Sequence, residues 1–259
     1  MNGMKNNHKR DNSISSNIII FNSSLPDIGY IARTNTAGKE LDMVNQFVEF
    51  LIKKYSHLKT KKVAIFIEPQ IDTGYPDIVV VEYYSHQKGS WNTLRASLSC
   101  TDFKILYYIQ TEKFLSLSDI SETLGYPIDI VKKSVSKLNV CGLIHLSKKK
   151  EHVRNIRLKT YAKIHKIIAI EAKIDKWQEA IRQANNNIWF STESYILMNK
   201  SACSPAIIQT CRSIGVGVLL VNGKVETILA STQRRFPVSY ASLQFNEWIL
   251  RYLHKEDIT

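Results

Sequence analysis

The sequence has few cysteines and no long apolar run near its start. Its four cysteines form no CxxC pair, and none lies at zinc-finger spacing from a histidine. A disulfide framework or a structural zinc site is therefore not expected, and a reducing cytoplasm is the simplest setting. The run from Ile18 to Phe21 is shorter than the about 7–15 residues of a signal peptide or the about 20 of a membrane span. We expect neither, and no membrane partner.

Acidic residues are scarce relative to basic ones. Lys and Arg number 35 against 23 Asp and Glu, which gives a formal net charge of +12. This excess favours a polyanionic partner, with nucleic acid ahead of an acidic membrane. The chain has 259 residues, 44% of them hydrophobic, and can bury a core as one large domain or two small ones.

The hydrophobic pattern predicts an α/β core. Apolar residues recur at helical spacing from Lys39 to Tyr55, and strands follow at 61–69 and 77–84. Their nearly continuous Val and Ile content is typical of strands covered on both faces. After residue 160 the α/β character returns with the strand "IIAIEAKI" and ends with the amphipathic helix "ASLQFNEWILRYLH".

Between these parts, from Thr101 to Thr160, the pattern predicts three helices and a β-hairpin. The second helix begins at Ser116 or Ser118 and ends at Gly125. This order resembles the winged helix-turn-helix domain, in which the third helix enters a DNA groove and the hairpin is the wing.

We therefore expect three parts in the chain. Residues 1–36 are a polar, partly disordered N-terminal segment, since the first 16 residues are mostly polar. Residues 37–97 and 161–259 form the α/β core. Residues 98–160 form an inserted winged-helix domain.

The inserted segment holds much of the basic charge. Between Ile130 and Thr160 there are nine Lys or Arg and a single acid, Glu151. A recognition helix and wing would place these cations against DNA phosphates, or they could be the solvated face of a domain that binds protein. The predicted nucleic-acid contacts are Lys132, Lys133, Lys137, Lys148, Lys149, Lys150, Arg154 and Arg157.

The strand "IIAIEAKI" carries Glu171 and Lys173 within an apolar run, although burying an unpaired charge is costly. Residues two apart in a strand point to the same side, so both can line a cleft. Asp77, directly after Pro76, offers a further carboxylate, and Mg²⁺ favours carboxylates together with waters and phosphate oxygens. The alternatives are a salt bridge at a sheet edge for the Glu–Lys pair and a turn role for Asp77. Glu68 and Asp72 are rival carboxylates that we rank below Asp77, and the seven histidines form no evident ligand set.

The helix with Glu40, the pair Pro76-Asp77 and the motif Glu171-Ala172-Lys173 together resemble the PD-(D/E)XK nuclease superfamily. The segments "RQA" (182–184) and "GVGVLLVNGK" are similar to later parts of the same fold. The resemblance implies a restriction-endonuclease-like αβββαβ core, with a mixed central sheet flanked by helices. Asp77 and Glu171 are much further apart than in the short hairpin usual in the family, which an inserted winged helix between the two strands would explain.

The resemblance also implies a function and a set of roles. The chain would be a DNA endonuclease that hydrolyses phosphodiesters with Mg²⁺, or Mn²⁺, in restriction and host defence or in DNA repair. Asp77, Glu171 and the carbonyl of Ala172 would hold the metal. Lys173 would orient or deprotonate the attacking water or stabilise the transition state. Glu40 would be an outer or second-metal ligand, and Gln183 would position water or substrate.

Other readings remain open from the sequence. Glu40 could be an acid favoured by the positive end of the helix dipole, and Gln183 a surface residue. The chain could be a non-catalytic winged-helix DNA-binding regulator on a degenerate nuclease scaffold. RNA is the alternative substrate, and a homodimer or a protein partner in a defence or repair complex is compatible with the resemblance.

Overall fold

The computed structural model describes residues 13–15, 17–33, 38–58, 61–84, 92–112, 114–149 and 151–256. In these ranges the strands are β1 (Ser13–Ser15), β2 (Ile18–Phe21), β3 (Lys61–Ile67), β4 (Ile78–Tyr84), β5 (Phe114–Ser116), β6 (Ile144–Leu146), β7 (His152–Asn155), β8 (Ile164–Ala172), β9 (Glu193–Asn199), β10 (Gly217–Val221) and β11 (Val225–Leu229). The helices are α1 (Lys39–Ser56), α2 (Cys100–Thr111), α3 (Leu117–Leu124), α4 (Ile128–Val140), α5 (Trp177–Asn187), α6 (Pro205–Ile214) and α7 (Tyr240–Glu256).

An eight-stranded mixed sheet forms the centre, in the order β1-β2-β3-β4-β8-β9-β10-β11. Strand β4 is antiparallel to both of its neighbours, β3 and β8. Strands β8, β9 and β10 run parallel to one another. Most residues of β3, β4 and β9 are buried, as their Val and Ile content predicts. The prediction of an α/β fold is confirmed.

Helix α1 covers one face of the sheet. Its apolar residues recur every three or four positions, so Met43, Phe47 and Leu51 lie in one buried stripe against residues of β3, β4, β8 and β9. Acids in its first turn and lysines in its last suit the helix dipole. The predicted end at Tyr55 differs from the observed one by a single residue.

Helices α5, α6 and α7 cover the opposite face. Alternation along β4 sends Ile78 and Val80 towards α1, and Val79 and Val81 towards the other side. There the rings of Phe245 and other aromatic side chains of α7 pack against the sheet in edge-on and tilted contacts. The sheet is therefore buried on both faces.

The segment between β4 and β8 forms a unit with its own core and a three-stranded antiparallel sheet in the order β5-β7-β6. Ser99 and Ser116 open its first two helices through reciprocal capping boxes with Asp102 and Asp119. Gly125 ends the second helix in a left-handed conformation that glycine adopts without strain. Of the two caps that the sequence allows for that helix, Ser116 is the one observed.

A buried ion pair fixes this unit to the core. Arg95 is 0% exposed, and its guanidinium donates through two nitrogens to the carboxylate of Glu247 on α7. Arg251, one turn further along α7, donates to the backbone carbonyls of Arg95 and Leu98. The inserted unit and α7 are therefore packed against each other by charge-assisted bonds that the sequence pattern does not reveal.

Part of the N-terminal segment belongs to the central sheet, which the sequence analysis did not predict. Strand β2 is buried and pairs in parallel with β3. Four consecutive apolar residues suffice for a strand when a neighbouring strand pairs with them. The hydroxyl of Tyr30 donates to the carbonyls of Phe21 and Ile67, the last residues of β2 and β3. Residues 1–12 and 16, for which disorder was expected, lie outside the described residues.

No helix within the described ranges is long and apolar enough to cross a membrane.

Truncation of the buried arginine gives a first test of the fold. Arg95→Ala leaves Glu247 buried without its ion-pair partner, so we expect the free energy of unfolding to fall by about 3–5 kcal/mol. Urea denaturation followed by circular dichroism measures this change. Replacing both partners by methionine should cost clearly less than Arg95→Ala. An equal or greater loss in the double variant would contradict the role given to the unpaired charge.

Glu82 gives a second test, through pH. Bonds from His165 and Tyr55, together with the charge of Lys61, lower the pKa of this buried carboxyl to about 2 against the cost of its burial. An acid with a lowered pKa stabilises the fold above its unfolded pKa, near 4.5, and loses that contribution as the pH falls towards 2. The shift corresponds to about 3 kcal/mol.

We therefore expect Glu82→Gln to be less stable than the wild type at pH 7 in urea denaturation. The difference in unfolding free energy should narrow steadily below pH 4.5. A difference that does not change with pH would show that the ionised form has no special role. Glu49 lies on the exposed side of α1, and Glu49→Gln is the control. Its free energy of unfolding should equal that of the wild type at every pH measured.

Candidate active site

The pairing of β4 with β8 brings Asp77 and Glu171 together. The strands are antiparallel with Ile78 opposite Ile170, so the next residues outward are Asp77 and Glu171. The amide N–H of Ala172 donates to Oδ2 of Asp77 over 2.8 Å. Because β8 lies between β4 and β9 in the sheet, the reading of Glu171 and Lys173 as a pair at a sheet edge is wrong.

Glu171 is a buried carboxylate with one unused oxygen. Its side chain is held by Asn187 of α5, whose Nδ2 donates to Oε1 over 2.6 Å. The residue is 2% exposed, and Oε2 has no hydrogen-bond partner. Burial, with the nearby charge of Asp77, raises the pKa of Glu171 to about 8. Such a group is costly to bury, so it is a candidate for binding a cation.

Asp77 is largely buried as well, and opposing effects act on it. Burial raises the pKa of its carboxyl, while the charge of Lys173 and the N–H of Ala172 act to lower it. Nζ of Lys173 lies 3.7 Å from Oδ2 of Asp77. The reading of Asp77 as a mere turn residue does not account for these contacts with the later strand.

Lys173 lies between carboxylates directly after β8. Its side chain is 11% exposed, and Nζ is 3.3 Å from Oε2 of Glu40 and 3.2 Å from the carbonyl oxygen of Ala172. Burial acts against the charge, but Asp77 and Glu40 outweigh it, so the pKa of Lys173 is raised. The lysine therefore keeps its proton at neutral pH, which favours an electrostatic role over that of a general base.

Glu40 stands in the first turn of α1 and is 48% exposed on its side chain. Both readings of this residue are compatible with its position, because it faces the positive end of the helix and also pairs with Lys173. Glu40 does not itself line the cavity described next.

A cavity of about 410 Å³ opens over these groups. Gln183 of α5 forms part of its wall, and its Oε1 is buried without a hydrogen-bond partner, so it is not a plain surface residue. The lining consists mainly of polar and charged side chains: Arg33, Thr73, Tyr75, Asp77, Glu171, Lys173, Glu179, Arg182, Gln183, Asn186 and Asn187, with Gly74 and Pro76.

Asn187 and Arg33 are among the lining residues that the sequence reasoning missed. Asn187 lies one helical turn after Gln183, and this four-residue spacing on α5 was a signal that could have found it. Arg33 lies in a coil, where no periodicity points to it, and its position depends on a backbone bond from its N–H to the carbonyl of Glu68. Its guanidinium pairs with the Glu68 carboxylate.

The rival carboxylates have other partners. Glu68 is engaged by Arg33. Asp72 accepts a hydrogen bond from the hydroxyl of Tyr240 and lies 3.5 Å from Nζ of Lys104. The ranking of Asp77 above both acids therefore agrees with the geometry.

Six of the eight predicted nucleic-acid contacts have exposed side chains, namely Lys132, Lys133, Lys148, Lys149, Arg154 and Arg157. Lys137 differs, since its Nζ lies 2.9 Å from Asp102 and 3.1 Å from the carbonyl of Ser97. These bonds brace α4 against α2, so the expectation of a phosphate contact for Lys137 is not supported. Lys150 lies outside the described residues.

Comparisons of the chain with protein-family models, with curated proteins and with solved structures give no match. Among the residues that the structure describes, no group of three or more His, Cys, Asp or Glu side chains could hold a metal. The candidate site therefore consists of two carboxylates, a lysine and backbone groups, and its function has to be argued from their geometry.

The raised pKa of Glu171 predicts a stability cost in the metal-free protein. An acid protonated in the folded state up to about pH 8 and ionised in the unfolded state above about pH 4.5 makes the fold less stable as the pH rises between these values. We expect Glu171→Gln to remove this dependence and to raise the free energy of unfolding at pH 8 by about 2–5 kcal/mol. Urea denaturation in EDTA between pH 5 and 9 measures it.

Asn187→Ala is the informative companion, because it removes the one hydrogen bond that favours the ionised carboxylate. Its loss should raise the pKa of Glu171 further and extend the loss of stability to higher pH. If the wild type and Glu171→Gln show the same pH dependence, Glu171 does not have the environment described here.

Proposed function

We propose that the chain is a metal-dependent DNA endonuclease that hydrolyses phosphodiesters at the cavity over Asp77 and Glu171. One observation carries the proposal. The β4–β8 register brings two buried carboxylates and a charged lysine to one polar cavity, and one carboxylate oxygen is left without a partner. A buried acid with a raised pKa and an oxygen without a partner is expected where a cation and an anionic substrate complete the site.

The fold supports a restriction-endonuclease-like core. Helix α1, the strands β3, β4 and β8, helix α5 and strand β9 follow one another in the αβββαβ order that the resemblance implies, and the strands are adjacent in the sheet. The inserted unit lies between β4 and β8, and this position accounts for the long separation of Asp77 from Glu171 in the chain. The unit inserted there has the order helix, strand, helix, helix, strand, strand, which resembles a winged helix.

The donor set suits Mg²⁺ or Mn²⁺. Oε2 of Glu171, the carboxylate of Asp77 and the carbonyl of Ala172 are hard oxygen ligands, and Mg²⁺ usually binds one or two carboxylates and keeps several waters. A bound cation would also compensate the desolvation that raises the pKa of Glu171. When bound, the ion supplies Lewis acidity to the phosphodiester and neutralises part of its charge.

The protein's own groups have separable roles in this proposal. Lys173 remains an ammonium ion and stabilises negative charge that develops on the phosphate. Glu40 positions that ammonium group. Asn187 orients Glu171, and the free Oε1 of Gln183 can accept a hydrogen bond from a water or hydroxyl in the cavity.

The exposed cations of the inserted unit support DNA as the substrate. Lys132 and Lys133 lie on the exposed side of α4, and Lys148, Lys149 and Arg154 lie on the β6–β7 hairpin and its tip. A winged helix places these two elements against the DNA backbone. Their charges would supply affinity that falls steeply with salt.

Cleavage assays test the activity. Supercoiled plasmid, linear duplex, single-stranded DNA and RNA are incubated with the protein in Mg²⁺, Mn²⁺ or EDTA. We expect cutting of DNA that needs a divalent ion, and a loss of at least about 100-fold in Lys173→Ala, because a preorganised charge near the phosphate is removed. Asp77→Asn and Glu171→Gln should abolish cutting.

Matched controls make the result specific. Lys176→Ala changes an exposed lysine three positions further on that does not line the cavity, and Glu49→Gln changes an exposed acid on α1. Both should cut as the wild type does. If the wild type cuts no nucleic acid, or if Lys173→Ala and Lys176→Ala cut equally well, the proposal is wrong.

A further inference from the structure

A second cavity, of about 640 Å³, lies where the inserted unit meets the loop before α7. Three cations line it, Arg157 and Lys159 from the inserted unit and Arg235 from the loop, and its lining contains no acid. All three residues are exposed, and among the described residues none of them forms a salt bridge. An uncompensated positive cleft at the junction of two units is an anion-binding surface by Coulomb attraction alone.

Half-buried aromatic rings accompany these charges. Tyr107 of α2 and Phe236 of the loop both line the cavity. The hydroxyl of Tyr107 donates to the carbonyl of Val238 over 2.7 Å, so the ring is held in place between the two units. Cations beside accessible aromatic rings are the combination that binds unpaired nucleic acid, because phosphates meet the cations and bases stack on the rings.

The polar floor of the cavity is fixed as well. Nε2 of Gln110 donates to the carbonyl of Ile156 over 3.2 Å, and Nδ2 of Asn155 donates to that of Glu112 over 3.4 Å. Both amides are thereby oriented before any ligand arrives, which lowers the entropy cost of binding. The cleft is therefore a preformed site and not only a gap between two units.

A series of contacts leads from α2, which carries Tyr107, to the candidate active site. Nζ of Lys104, one turn before Tyr107 on α2, lies 4.9 Å from the ring centre of Tyr240. That ring packs against Trp189 at 5.4 Å, and Nε1 of Trp189 donates to Oγ1 of Thr73, which lines the catalytic cavity. Asp72 lies on this path, and Lys104 and Tyr240 engage its carboxylate.

We propose that the junction cleft of Tyr107, Arg157, Lys159, Arg235 and Phe236 binds a single-stranded stretch of nucleic acid, whose strand continues along Lys104, Tyr240 and Trp189 to the active-site cavity. The choice of a nucleic acid rests on the proposed function. The choice of a single strand rests on the aromatic rings, since a base paired in a duplex cannot stack on a side chain inside a cleft. The substrate class is thus DNA with an unpaired region on the strand that is cut.

Binding experiments in EDTA test the cleft without any need for cleavage. Fluorescence anisotropy of labelled oligothymidylate and of a duplex of equal length is measured over a range of NaCl concentrations. For Arg157→Ala/Arg235→Ala we expect single-strand affinity to fall at least about tenfold, with the slope of log K against log salt reduced by about 0.7 for each cation. Lys53→Ala, an exposed lysine near the end of α1, should bind as the wild type does.

A second pair of variants isolates the ring. Tyr107→Phe and Tyr107→Leu both lose the bond to Val238, but only the phenylalanine keeps a surface on which a base can stack. Tyr107→Leu should therefore bind oligothymidylate about tenfold more weakly than Tyr107→Phe. Thermal denaturation of both variants, monitored by circular dichroism, shows whether they are equally folded.

Unchanged single-strand affinity in Arg157→Ala/Arg235→Ala, or a loss confined to the duplex, would overturn this inference. Its failure is distinguishable from failure of the proposed function. If the protein binds oligothymidylate through the cleft but cuts nothing with Mg²⁺ or Mn²⁺, the binding inference stands and the nuclease proposal is wrong. If the protein cuts DNA but the cleft variants bind single strands as the wild type does, the nuclease proposal stands and the binding inference is wrong.

Discussion

The antiparallel register between β4 and β8 is the constraint on which the candidate site depends. It sets Ile78 opposite Ile170 and so brings Asp77 and Glu171, which are far apart in the chain, to the same end of two central strands. Since side chains alternate along a strand, a slip of one residue would send the apolar residues of β8 to the wrong faces and separate the two carboxylates. Burial of both sheet faces therefore protects the site: the same packing that excludes a slip also holds the acids in place.

This arrangement has an energetic cost that the rest of the fold has to offset. Glu171 is buried with one oxygen unpaired, and Asp77 and Lys173 are partly withdrawn from water beside it. The surrounding layers are well packed, with α1 on one face and the aromatic side chains of α7 on the other. The Arg95–Glu247 pair adds a rigid attachment for the inserted unit, so that its cations and the loop at Arg235 keep a fixed position relative to the sheet.

Much of the fold follows from patterns that are local in the sequence. The spacing of apolar residues predicts α1 to within one residue, and Ser116 and Gly125 mark both ends of α3. Local patterns were insufficient for β2, because a run of four apolar residues is too short to be assigned without the neighbour that covers it. They also did not reveal the partner of Lys137, since only the packing of α4 against α2 brings its ammonium group to Asp102.

The sequence by itself determined the types of residue available for chemistry: a Glu-x-Lys motif inside an apolar strand, an Asp after a proline and a basic inserted segment. Tertiary structure alone decided that Asp77 and Glu171 lie side by side, that Glu68 and Asp72 have other partners, and that Arg235 and Arg157 line one cleft. The physical reason is that periodicity reports which face of one element is buried, whereas distances between elements depend on strand register and on how helices pack. A pKa near 8 for Glu171 arises only when that packing removes its water and brings a second carboxylate beside it.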